Sequence, residues 1–172
     1  HTQTEKTQPR TQWWIVPRHP QRFDEVEQLL HATGDNILRK STLDKMSEPQ
    51  QAVALQTADI VLGDTMGEMF AYYAIADIVL MGGTWLPYGG QNFLEPMALG
   101  KQVWVGMSIY NFEQIGMDAL HSGVMWQAKS PVEALANIKQ AGQHTDSAPM
   151  HIQAYINEQC GAVKKLMEKL EM

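Results

Sequence analysis

The stretch from Asp77 to Gly106 constrains the fold most. It opens on an apolar run, DIVLM, and passes a glycine pair, Gly82-Gly83. A second pair, Gly89-Gly90, leads to Asn92, Glu95-Pro96 and a short helix-like MALG. A further apolar run, Val103 to Val105, closes it. The order reads strand, loop, helix, strand. Glycines let the backbone of such a loop bend sharply and approach a ligand closely. Asn92 and Glu95 fall where the helix begins, at the mouth of the loop. Open α/β sheets bind ligands there, beyond the carboxyl ends of their strands. An ordinary βαβ connection with turn glycines fits the same pattern.

The same alternation runs through the chain. Trp13 to Val16 reads as a strand, stopped by Pro17. Pro20 suits a first helical turn. Phe23, Val26, Leu29 and Leu30 then recur at helical spacing up to a cap at Gly34. Ile37-Leu38 is a weak strand, and the polar stretch 39–56 reads as a long loop. Asp59 to Leu62 is a strand, and a turn at Gly63-Asp64-Thr65 follows. Met66-Gly67-Glu68 opens the next helix, which runs through Tyr73. Beyond Gly106, a loop with Tyr110 and Asn111 precedes a short amphipathic helix, 112–120. Val124 to Trp126 is a last strand. Ser130-Pro131 starts another helix, and a final helical pattern carries Ile152, Tyr155, Ile156, Val163, Leu166, Met167 and Leu170. Short β-branched strands alternating with helices imply a Rossmann-like α/β fold, a parallel sheet with helices on both faces. The expected organisation is a flexible lead-in or truncated helix over 1–12, a nucleotide-binding domain over 13–148 and a C-terminal helix over 149–172.

Composition removes several functions. A chain of 172 residues with 44% hydrophobic content builds one globular domain. A net charge of −6 leaves no basic stripe for nucleic acid. One cysteine, Cys160, excludes an internal disulfide and reads as core rather than nucleophile. The histidines lack metal-ligand spacing, and there is no Asp-x-Asp pair to hold a divalent ion. We expect no cofactor and no metal. No apolar run approaches the ~18 residues of a membrane span. The polar start lacks the pattern of a signal peptide. The chain does not start with Met, so we expect a piece of a longer protein. Lys164-Lys165 reads as a solvated helix face.

Three strand-to-helix turns carry the candidate chemistry. They are Pro17-Arg18-His19-Pro20, Gly63 to Glu68, and Gly89 to Glu95. In one parallel sheet they would share an edge. Arg18 would offer an anion its planar fork, or be a surface arginine. The Met66-Gly67 turn would present backbone N–H groups to a phosphate, and Thr65-x-x-Glu68 also fits a capping box. Glu95 would accept the hydroxyls of a ribose, or complement its own helix N-terminus.

The motifs VPRHPQRF (16–23), GDTMGEM (63–69) and GGTWLPYGGQNFLEPMALGK (82–101) resemble the C-terminal half of bacterial 3-deoxy-D-manno-octulosonic acid (Kdo) transferases. Their order and gaps match as well, and the likeness covers about residues 13–125. The resemblance implies a GT-B glycosyltransferase. Such an enzyme moves Kdo from CMP-Kdo to the lipid A precursor, without metal, at the cytoplasmic face of the inner membrane. It implies CMP contacts at Pro17, Arg18, Met66, Gly67, Glu68, Asn92, Phe93, Leu94 and Glu95. The family usually has His where Gln91 stands, and often Pro where Phe93 and Gln102 stand. Its catalytic base and acceptor site lie in an N-terminal domain that nothing here matches. No catalytic residue is therefore expected in this chain, and the fragment alone should transfer nothing. The rival readings are a UDP-sugar-using transferase or epimerase on the same fold, and a non-catalytic nucleotide-binding module.

Overall fold

A computed structural model describes residues 10–141 and 149–159. Cys160, Lys164-Lys165 and the helical positions 163–170 lie outside them. The chain divides into two compact units, His1–Met69 and Phe70–Met172.

The first unit holds a parallel sheet of β1 (Trp13–Ile15), β2 (Ile37–Arg39) and β3 (Ile60–Leu62), in the order β1-β3-β2. The central strand is the most apolar, and Ile60, Val61 and Leu62 are all buried. A strand covered on both sides needs apolar side chains at every position, and that is what IVL supplies. Registers Ile15↔Leu62 and Arg39↔Leu62 bring the carboxyl ends of all three strands to one edge. After β1, a short 3-10 turn (Pro20–Arg22) leads into α1 (Phe23–His31), with Pro20 in its first turn. The helix stops at His31 rather than at Gly34, which lies in the following turn with φ +80°.

The stretch 39–56 is not a loop. It folds as α2 (Lys40–Leu43) and α3 (Glu48–Thr57). Ser47 and Gln50 form a capping box, and Pro49 occupies the first turn of α3. These satisfy N–H groups that a helix start otherwise leaves open. The helix lacks a continuous apolar stripe, and Val53 is exposed. Periodicity therefore gives no sign of it, although its cap is written in the sequence. At the start of the described chain, Arg10 pairs with Asp59 at 2.7 Å and donates to the Thr57 carbonyl at 2.8 Å. Gln12 Nε2 donates to the carbonyls of Leu55 and Ala58.

One ion-pair network fastens the elements of this unit. Arg39 is hydrogen-bonded to Asp24 and, through two nitrogens, to Glu27 on α1. Its third partner, Asp64, lies 3.6 Å away just past β3. The hydrogen bonds it donates to Glu27 and Asp24 raise the pKa of Arg39 despite some desolvation. Asp64 also accepts from the backbone N–H and the hydroxyl of Ser41, at 2.8 and 2.6 Å. Three carboxylates thus converge on one guanidinium. Arg39→Met is expected to destabilise the chain by about 1–2 kcal/mol, since it leaves those carboxylates facing one another. Urea denaturation at low salt measures it, and Arg39→Lys should recover part of the loss.

In the second unit, β4 (Ile78–Leu80), β5 (Gln102–Val105) and β6 (Trp126–Gln127) form a parallel sheet with β5 central. The last strand starts at Trp126, two residues later than its apolar run suggests. Val124 and Met125 are buried just before it instead. Flanking helices are α4 (Met69–Ile75), α5 (Leu94–Ala98), α6 (Glu113–His121) and α7 (Pro131–Ala141). Residues 149–159, α8, are also helical. The Ser130 hydroxyl accepts the Glu133 N–H at 3.1 Å, in keeping with a Ser-Pro helix start for α7. The core gathers Val79, Met81, Phe93, Met97, Val103, Val105, Ala119 and Ile152. Trp104 stacks on Trp126 on the other side, with ring centroids 6.2 Å apart.

Candidate functional site

The first unit carries Pro17, Arg18, Met66, Gly67 and Glu68. Pro17-Arg18 follow β1, and Met66–Glu68 follow β3. These strands are parallel neighbours, so both turns leave the same edge of one sheet. Arg18 is exposed, and its guanidinium makes no ion pair among the described residues. Met66 and Gly67 are exposed too, with Gly67 at φ +82°.

The Met66–Glu68 turn is not the first turn of a helix. The helix α4 begins at Met69, so these residues form an irregular turn ahead of it. The Glu68 carboxylate accepts from the Thr65 hydroxyl. It also meets Lys40 Nζ at 3.4 Å. Lys40 is bonded to Asp44 as well. Desolvation lowers the Lys40 pKa, but the Asp44 and Glu68 carboxylates outweigh it and the net shift is upward. Sequence reasoning misses Lys40, because it stands in a stretch that reads as loop. Its place directly after a strand is the available signal.

Asn92 and Phe93 lie in the second unit, at the end of the connection from β4 to α5, and Leu94 and Glu95 are the first residues of that helix. The Asn92 carbonyl oxygen accepts the Leu94 N–H at 3.1 Å, and its amide donates to Glu95 at 3.0 Å. Asn92 thus satisfies a free N–H at the helix start and holds the neighbouring carboxylate. Both side chains are half-buried. The Tyr73 hydroxyl is pushed up to about 12 by burial, and the Glu95 charge adds to the effect. Phe93 differs from the other members of the segment. Its ring is fully buried, edge-on to Phe112 at 5.3 Å. No part of the residue is exposed, so Phe93 anchors the segment from beneath.

Among the described residues, no cluster of His, Cys, Asp or Glu is arranged to hold a metal. No described helix is long and apolar enough to cross a membrane. No protein-family model matches the chain. A 3-deoxy-D-manno-octulosonic acid transferase of Bordetella pertussis is 40% identical over 127 residues, 74% of this chain and 28% of the relative. One of Haemophilus influenzae is 32% identical over 164 residues, 91% of this chain and 36% of the relative. The crystal structure of the C-terminal CMP-Kdo binding domain of WaaA from Acinetobacter baumannii superposes with a TM-score of 0.70 at 29% identity. That match covers 84% of this chain and 71% of the other. The chain belongs to the Kdo transferase family. Its fold is that of the C-terminal half of a GT-B glycosyltransferase, with parallel strands flanked by helices. It spans only about a third of the curated Kdo transferases it matches.

Proposed function

We propose that this chain is the donor-nucleotide domain of a Kdo transferase and binds the CMP moiety of CMP-Kdo. The observation that carries the reading is its likeness, in sequence and fold together, to a domain described as binding CMP-Kdo. Arg18 and the N–H groups of Met66-Gly67 would hold the phosphate, a task suited to a guanidinium and to free backbone donors. Pro17 would fix the approach of Arg18. Glu68 would stay engaged with Thr65 and Lys40 and set the shape of the turn. Glu95, oriented by Asn92, would accept the ribose hydroxyls, Leu94 would contribute backbone, and the buried Phe93 would hold the segment in place.

In the longer protein, transfer of Kdo to the lipid A precursor would proceed without metal at the cytoplasmic face of the bacterial inner membrane. The main electrostatic task is to stabilise charge on departing CMP. Arg18 and the Met66-Gly67 turn would supply a cation and N–H groups for it. The catalytic base and the acceptor site would come from an N-terminal domain, so this chain alone would bind nucleotide and transfer nothing.

Calorimetric titration tests the reading. CMP is expected to give heat and UMP little; equal or absent heats from a folded sample would overturn it. Glu95→Ala should weaken CMP binding roughly tenfold, the worth of one or two hydrogen bonds to a charged group. The melting temperature should hardly move. A sharp drop in melting would mark Glu95 as a structural residue instead.

A further inference from the structure

We infer that Asn111 is a positioning residue for the nucleotide site, a latch on the loop that presents Asn92 and Glu95. This rests on the donor-domain reading above and adds a residue that the sequence motifs did not assign.

The connection from β4 to α5 is long, and its outer part is exposed. Leu86 and Tyr88 are each more than half exposed. Little apolar packing therefore fixes this outer part, and hydrogen bonds to the segment after β5 hold it instead. The Asn111 side-chain amide donates to two carbonyls of the connection, Tyr88 at 3.0 Å and Gly90 at 3.2 Å. Its backbone N–H donates to the Gly89 carbonyl between them, at 3.4 Å. The Gly89 N–H in turn donates to the Ser108 hydroxyl at 3.0 Å. One residue thus engages three successive carbonyls.

The approach is close enough to require glycine. A Cβ on Gly89 would lie 2.6 Å from Tyr110 Cε2 and 2.7 Å from Asn111 Cγ. Gly89 also takes φ +77°, which side chains disfavour. Gly89 is therefore shaped to receive Asn111, and not only to bend.

The latch acquires a function from its neighbours in the chain. Only Gln91 separates Gly90 from Asn92. The Asn92 side chain holds both the Leu94 N–H and the Glu95 carboxylate. A displacement at Gly90 would reach those groups through one residue. The core below does not need the latch, because Phe93 and Met97 are already fully buried. Hydrogen bonds from an exposed amide add little to global stability, since water can replace them. Their effect is to select one loop conformation, which a ligand would otherwise have to select when it binds.

The test uses the whole chain and the isosteric variant Asn111→Asp. This keeps the shape and turns a donor toward two carbonyls into an acceptor. Three measurements are made on wild type and variant: CMP titration, thermal melting, and amide hydrogen exchange at Gly89 and Gly90. The expected result is CMP binding weakened roughly tenfold, faster exchange at both glycines, and slow exchange retained at Val103 and Val105. Unchanged CMP affinity would overturn the inference, whatever the glycines do. Faster exchange at Val103 and Val105 with a large fall in melting would also overturn it, by making Asn111 a fold-holding residue. Absence of CMP heat from the wild type would instead overturn the donor-domain reading and carry this inference with it. That failure is recognisable because both proteins stay silent.

Discussion

Replacing Gly106 with alanine is expected to lower the melting temperature by roughly 10 °C or more, the largest loss from adding one methyl group at any described glycine of the Phe70–Met172 unit. Gly106 lies just past β5 and is buried. Its added Cβ would stand 2.3 Å from the Thr84 carbonyl oxygen, 2.5 Å from the Thr84 carbonyl carbon and 2.7 Å from the Trp85 nitrogen. All three are backbone atoms, so no rotamer change relieves the clash. Thr84 cannot retreat either. It is fully buried, its hydroxyl donates to the Met81 carbonyl at 2.6 Å, and the same oxygen accepts the Gly106 N–H at 2.7 Å. Its own carbonyl accepts the Ser108 N–H at 2.8 Å. Separating the two backbones would break these bonds and strand polar groups in the interior, at about 1–3 kcal/mol for each one left unpaired. A matched control exists in Gly82→Ala. Nothing lies within 4 Å of a Cβ there, and melting should stay within about 1 °C of wild type. A Gly106→Ala protein melting close to that control would show that the two connections are not held as tightly as these distances imply.

The Gly106–Thr84 contact also marks where sequence reading stops. The glycines and the strands beside them are legible, because β-branched runs such as IVL and VWV can serve only as buried strands in a chain that alternates with helices. Which backbone each glycine must approach is not legible. Thr84 and Gly106 lie 22 positions apart, and nothing local signals that one receives the other. The α2–α3 region escapes for a different reason. Its helices are short and polar, so apolar spacing is silent there, while the Ser47–Gln50 cap and Pro49 do signal a helix start. Caps report a helix whose packing is too slight to leave a stripe.

The candidate site divides in the same way. The segment from Asn92 to Glu95 starts a helix as expected, with Asn92 serving both the backbone and Glu95. The turn from Met66 to Glu68 reads as helical because Thr65-x-x-Glu68 fits a capping box. The helix in fact begins three residues later, at Met69. The Glu68 carboxylate goes to Lys40, 28 positions away, a contact that only the shared edge of the sheet creates.

Phe93→Ala should be the second large effect, about 3–5 kcal/mol lost in urea unfolding. The ring is fully enclosed, and its edge meets Phe112 with the planes at 62°. The neighbouring helix leaves room for it at Gly116, where a Cβ would come within 3.2 Å of Phe93 Cζ. The variant bears on function because Phe93 sits between Asn92 and Glu95 in the proposed nucleotide segment. If the side chain only anchors that segment, Phe93→Leu should keep most of the packing and lose about 1 kcal/mol. Its CMP affinity in the folded state should be unchanged. Phe93→Ala should then bind CMP only to the extent that it stays folded, and low temperature should restore binding in step with structure. A folded Phe93→Leu protein that no longer bound CMP would mean that the ring itself reaches the ligand, against its complete burial in the fold. The contrast separates two things a binding segment needs: polar groups at its surface, and an apolar pin beneath that keeps them still.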